Sequence, residues 1–148
     1  MSTIEKRIRE ADFSELDEPE MSELDWQEFN EGISLFNSGE FWESHEAWEE
    51  VWKRHSENSR MFFQGLIQIA AGLHQLGRQI YHGADKHFRN ALWKLRPFQP
   101  TFLGIDVRDL VMTVEAGHRQ LMELGEHGLD CYDQTLVPKI KKLPSEKN

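Results

Sequence analysis

Apolar residues recur along most of this chain every three or four positions, the spacing that lines one face of an α-helix. The first such run, SELDWQEFNEGISLFNSGE, aligns Trp26, Phe29, Ile33 and Phe36. Ser22 precedes it as an N-cap candidate with acidic first-turn residues, and Gly39 stands where a helix-ending glycine is usual. A second helix is predicted over residues 40–54, around FWESHEAWEEVW. The third, 58–79, is apolar almost all round, which marks a buried central helix. A fourth, over 83–96, gathers Ala84, Phe88, Ala91, Leu92 and Leu95 and stops at Pro97 and Pro100. Asp106, with Asp109 three residues on, resembles an acidic capping box and opens a fifth helix to residue 124. Its inward residues are Val107, Leu110, Val111, Val114, Leu121 and Met122. No alternating segment competes with these runs. The pattern therefore predicts an all-α fold, a single-domain bundle of five main helices around the one at 58–79. Residues 1–21 read as a mobile acidic arm closed by Pro19, 22–124 as the bundle, and 125–148 as a mostly extended tail packing on it.

The segment LFNSGEFWESHEAWEEVW resembles one helix-turn-helix unit of a tetratricopeptide repeat. Such a unit needs neighbours about 34 residues away to cover its face. Thirty-four positions on from Gly39 stands Leu73, inside the central helix, so there is no repeat.

Composition narrows the function classes. Five Trp and nine Phe in 148 residues suit a globular core. Of the net charge of −9, the first 25 residues carry −6, leaving a nearly neutral body without the basic stripe that nucleic acid requires. Cys131 is the only cysteine, which excludes a disulfide framework and a cysteine zinc site. The N-terminus has no signal-type apolar stretch, and MFFQGLIQIAAGLHQLG is too short and too polar to span a bilayer. The expected location is cytoplasmic.

The chemistry-bearing residues sit on the second and third helices. At about 100° per residue from Phe41, His45 falls near +40°, between Trp48, Trp52 and Glu49, with Glu43, Glu46, Glu50 and Arg54 opposite. His45 and Glu49, four apart, can pair at the edge of the core. Trp42 is expected half exposed, at a subunit or partner interface. On the central helix Gln64, Gln68, Ala71 and Gln75 share a stripe flanked by Gly65 and Gly72, with Phe62, Leu66, Ile69, Leu73 and Leu76 on the other side. Buried amides without partners cost about 1–3 kcal/mol. The economical expectation is that the second helix packs on this stripe, so that His45 and Glu49 meet Gln64 and Gln68 in a small pocket walled by Phe41, Trp48 and Trp52.

Four blocks, LFNSGEFWESHEAWEEVW, FFQGLIQIAAGLHQL, HGADKHFRNALWKL and LGID, resemble in order and spacing the signatures of the bacterial and archaeal family called domain of unknown function 309, over residues 26–110. The resemblance implies a compact helical bundle whose hallmarks fall on His45, Glu46 and Glu49 and on Gly65, Leu66, Ile67 and Gln68. It implies no reaction.

Two chemistries suit the cluster. As a metal site, His45 and Glu49 supply two ligands on one face, although HEAWE departs from the His-Glu-x-x-His zinc motif and needs a third ligand from His74, His82 or elsewhere. As a metal-free site, His45 acts as general base, Glu49 orients it, and Gln64 and Gln68 hold a substrate carbonyl. No nucleophile accompanies it, since Ser44 projects elsewhere and Cys131 is remote. The functional expectation is a protein that binds a small polar ligand or a divalent metal at His45, Glu49, Gln64, Gln68, Glu46, Trp48 and Trp52, with any catalysis resting on His45 and Glu49. The competing reading is a helical interaction module, which a homo-oligomer would also satisfy. There the cluster only fixes helix register, His82 and His87 are surface residues, and Trp42 or the acidic arm meets a partner.

Overall fold

The computed structural model describes residues 15–144. Within them five helices follow one another: α1 Glu23–Asn37, α2 Phe41–Lys53, α3 Met61–Gly77, α4 Tyr81–Leu95 and α5 Val107–Leu124. The fold is all-α, and α3 is its most deeply buried helix. Local chemistry sets the helix ends. Ser22 Oγ accepts from Asp25 N at 3.0 Å while the Asp25 carboxylate accepts from Ser22 N at 3.1 Å, a reciprocal cap on α1. At α5 the Asp106 carboxylate accepts from Asp109 N at 2.9 Å. A turn of 3-10 helix, Asn58–Arg60, leads into α3, so the α-helix itself starts at Met61 rather than at the expected 58.

Helices α1 and α3 end in the same way. Gly39, at φ +83°, lets Glu40 N reach back to Leu35 O and Gly39 N to Phe36 O. At the end of α3, Gln79 takes φ +59°, with Ile80 N on Gln75 O and Gln79 N on Leu76 O. Both are Schellman turns, which satisfy carbonyls that a helix end would otherwise orphan. Gln79 accepts the left-handed conformation in a position where glycine is usual, and its amide donates to Asp130 Oδ1 at 2.7 Å.

Successive helices pack on one another, α3 against α4 most extensively, with α1 on α2, α2 on α3 and α4 on α5. Gly32 of α1 lies under the indole of Trp48, where a Cβ would stand 2.2 Å from Trp48 Nε1. The indole N–H donates to Phe29 O at 3.1 Å, so this fully buried side chain is both packed and bonded. Phe62 continues the aromatic core to Phe98 and Phe102, with ring centroids 5.4 and 4.8 Å away.

Phe102 belongs to a two-stranded antiparallel hairpin, Thr101–Phe102 with Ile105–Asp106, in the connection between α4 and α5. Leu103 at φ +49° and Gly104 at φ +75° form its two-residue turn, the primed type that matches strand twist. Two-residue strands are too short to leave an alternating signature in the sequence.

The tail from residue 125 makes two 3-10 turns, Leu129–Cys131 and Gln134–Leu136, and then runs extended past the hairpin. Asp106 N donates to Lys141 O at 2.9 Å, and Asn37 brackets Ile140 through both its N–H and its carbonyl. Of the acidic arm expected over 1–21, residues 1–14 lie outside the described residues. Residues 15–21 are held rather than mobile: Pro19 is buried, Leu16 and Met21 pack on the core, and Glu18 accepts from Leu103 N at 2.7 Å. Two expected core residues are exposed, Trp26 and Met122. Each sits in a terminal turn, where fewer neighbours reach it. Among the described residues no helix is long and apolar enough to cross a membrane.

Candidate functional site

The buried line of α2 runs through Ser44, Trp48 and Val51 rather than through His45 and Trp52. Seating Trp48 on Gly32 rotates the helix until Ser44 faces the core, its hydroxyl donating to Phe41 O at 2.9 Å. His45 is thereby moved to the margin, with its side chain 18% exposed. Its ring stacks on Trp42, with centroids 4.9 Å apart and planes 11° from parallel. Its Nε2 lies 3.6 Å from Glu49 Oε2, an ion-pair contact too long for a hydrogen bond. Its Nδ1 is buried without a hydrogen-bond partner among the described residues. Glu49 also faces Lys53 at 3.9 Å.

Among the described residues no hydrogen bond joins this pair to the glutamines. Gln68 Oε1 and His45 Nδ1 are both buried and unpartnered, so they do not bond one another, and among the described residues Gln64 bonds neither His45 nor Glu49. The physical reason lies in the glycines. A Cβ on Gly65 would stand 2.6 Å from Leu95, and one on Gly72 would stand 2.7 Å from Phe88. The glycine face of α3 therefore admits α4, and Gln75 flanks that interface, its carbons 3.2 Å from the Cβ position of Gly83. The remaining expected ligand contacts also separate. Trp48 is a core residue, Glu46 is exposed, and Trp52 lies at the margin under the guanidinium of Arg60, 4.8 Å from its ring centroid.

His74 and His82 do not complete a metal set. His74 approaches Trp42, with ring centroids 5.3 Å apart, and exposed His82 lies 3.9 Å from Glu126. Among the described residues no three His, Cys, Asp or Glu side chains are arranged to hold a metal ion.

What the structure does assemble is an open groove of about 460 Å³ between the two Schellman turns. Gly39, Glu40, Phe41, Trp42 and Glu43 form one wall, and Leu73, His74, Gly77 and Arg78 the other. Trp42, 47% exposed, lines it while touching both imidazoles. Glu40, the N-cap of α2, makes no side-chain cap bond, so the first N–H groups of that helix stay open beside the groove. Sequence reasoning found Trp42 half exposed but not the groove, because Arg78 and His74 come from a turn more than thirty residues on.

A second cluster was missed altogether. His55, just beyond α2, is buried between two carboxylates, with Nε2 2.9 Å from Asp25 Oδ2 and Nδ1 3.0 Å from Glu57 Oε2. Arg54 Nε donates to Asp25 Oδ1 at 2.7 Å, and its terminal nitrogen lies 2.7 Å from Glu28. Burial pushes the Asp25 carboxyl up. The Arg54 guanidinium, the Ser22 N–H and His55 outweigh it and hold that carboxyl below its ordinary value. A contact between α4 and α5 repeats this on a smaller scale, with His118 Nε2 2.8 Å from Asp85, whose carboxyl burial also raises and His118 and Arg89 lower more strongly. The only local hint of the first cluster was the Ser22–Asp25 capping box; its partner lies 30 residues away.

No curated protein matches the chain. A family described as a domain of unknown function, DUF309, matches residues 29–87, from Phe29 in α1 to His87 in α4, and so covers the α1–α2 turn and all of the groove. The LGID block and the hairpin lie outside that match. Over residues 29–87 the chain thus matches the family that its sequence blocks resemble.

Proposed function

We propose that the groove beside Trp42 binds a small polar ligand with charges of both signs. The carrying observation is the indole itself, half exposed and held by a parallel stack on His45. An exposed indole face oriented in this way attracts a cation by about 0.5–1 kcal/mol. Glu40 and Glu43 on the same wall add negative charge. Across the groove Arg78 offers a positive charge, and the uncapped N-terminus of α2 offers open N–H groups for an anionic end. The volume lies in the range of small-molecule sites, and its openness suits weak, exchangeable binding. His45 and Glu49 act here as supports for the platform rather than as a base and its partner.

The test is a titration followed through the Trp42 indole N–H resonance, using a free amino acid, a trimethylammonium carboxylate, a quaternary ammonium ion and inorganic phosphate. A saturable shift centred on Trp42 with the zwitterions, stronger than with either single-charge probe and absent in Trp42→Ala, is the expected result. Unchanged resonances with all four probes, or a response that survives Trp42→Ala, would overturn the reading.

A further inference from the structure

His55 is buried with both ring nitrogens against carboxylates, and the two carboxylates are held very differently. The Asp25 side chain is 6% exposed and the Glu57 side chain 45% exposed. An ionised carboxylate only accepts hydrogen bonds, so both contacts are hydrogen bonds only when both ring nitrogens carry protons. We propose that His55 is a proton-operated clasp on the connection between α2 and α3. The protonated ring holds Glu57 and with it the turn that starts α3; the neutral ring lets Glu57 go.

Every charged group around the ring bears on which contact yields. From α1, Asp25 meets Nε2; from the end of α2, Arg54 holds the other oxygen of Asp25 and also Glu28. From the turn before α3, Glu57 meets Nδ1, and Arg60 donates to the His55 carbonyl at 3.0 Å. From α3, Phe63 covers the ring, with centroids 5.5 Å apart. When the ring loses one proton, a single N–H remains for two carboxylates. Asp25 is buried, so losing its donor would be the more expensive outcome. Glu57 can turn to water at little cost. The proton therefore stays on Nε2, and Nδ1 presents a lone pair to Glu57, which swings away. The Glu57 contact therefore belongs to the protonated ring and is lost when the ring is neutral. This device is independent of the Trp42 groove, which lies at the other end of α2.

Amide hydrogen exchange, corrected for the intrinsic rate, tests it in the full chain between about pH 5 and 8, the range in which imidazoles change charge. The reporter is the Arg60 amide, which donates to Glu57 O at 3.0 Å, and the control is the Trp26 amide, which donates to Ser22 O at 3.0 Å. Protection at Arg60 is expected to fall about threefold over this range, the size of a half-exposed ion pair, with Trp26 unchanged. Glu57→Gln, at an exposed position that leaves the fold intact, is expected to abolish the pH dependence at Arg60, as is His55→Gln. A flat profile in the native chain, or an equal fall at Arg60 in Glu57→Gln, would overturn the clasp.

Discussion

The two ends of α2 each carry a histidine, and their surroundings differ in kind. At the C-terminal end His55 is buried, with both ring nitrogens on carboxylates, inside a network that closes through Arg54, Glu28 and the α1 capping box. At the N-terminal end His45 makes no hydrogen bond within the described residues, keeps Glu49 at 3.6 Å, and lies flat on an indole half open to solvent. The first end uses all its bonding capacity on the fold itself. The second leaves an aromatic face, an uncapped helix start and rim charges without an ion-pair partner among the described residues. Satisfied polar networks specify packing, whereas unsatisfied groups around a groove are where a ligand can gain something. A histidine in an aromatic stretch is therefore read by its partners rather than by its neighbours in sequence.

The contrast can be broken most easily at Asp25. Asp25→Ala would leave His55 and Arg54 facing a vacancy, and removing one partner of a buried ion pair destabilises by about 3–5 kcal/mol. Urea denaturation should show a loss of this size; a loss below about 1 kcal/mol would mean that the C-terminal end is no tighter than the other. Acid sharpens the same point. The Asp25 carboxyl is held below its ordinary value in the folded chain, so its contribution is complete above the unfolded-state value and disappears as pH falls through the folded one. Thermal melts between about pH 5 and 2 should fall more steeply for the native chain than for Asp25→Asn.

Smaller effects belong to the N-terminal end. His45→Ala removes a stacked ring but no hydrogen bond, and is expected to cost about 1 kcal/mol or less while changing the fluorescence of Trp42. A loss comparable to that of Asp25→Ala would make His45 an architectural residue. Glu49→Gln comes last, at about 0.5 kcal/mol or less, because its contacts to His45 and Lys53 are long and partly solvated.

Much of the fold was legible in the sequence. Ser22, Gly39, Asp106 and Pro97 each act through residues within a few positions of themselves, so helix ends can be read locally. The half-exposed Trp42 was legible for the same reason, as a matter of angle around one helix. The site was less so. The glycines of α3 announced a close approach but not by which helix. The angular position of His45 was right to within a quarter turn, and that quarter turn separates a core histidine from a marginal one.

By itself, then, the chain determined five helices, several of their ends and the apolar face of all but α2, because these depend on hydrogen bonds and side-chain spacing along a single turn or two. Tertiary structure alone decided that Trp48 would sit on Gly32 and rotate α2, that α4 would take the smooth face of α3, and that Asp25 would meet His55. Those choices depend on how the surfaces of helices distant in sequence fit together. A backbone Cβ missing at one position and an indole filling the space at another have no local signature.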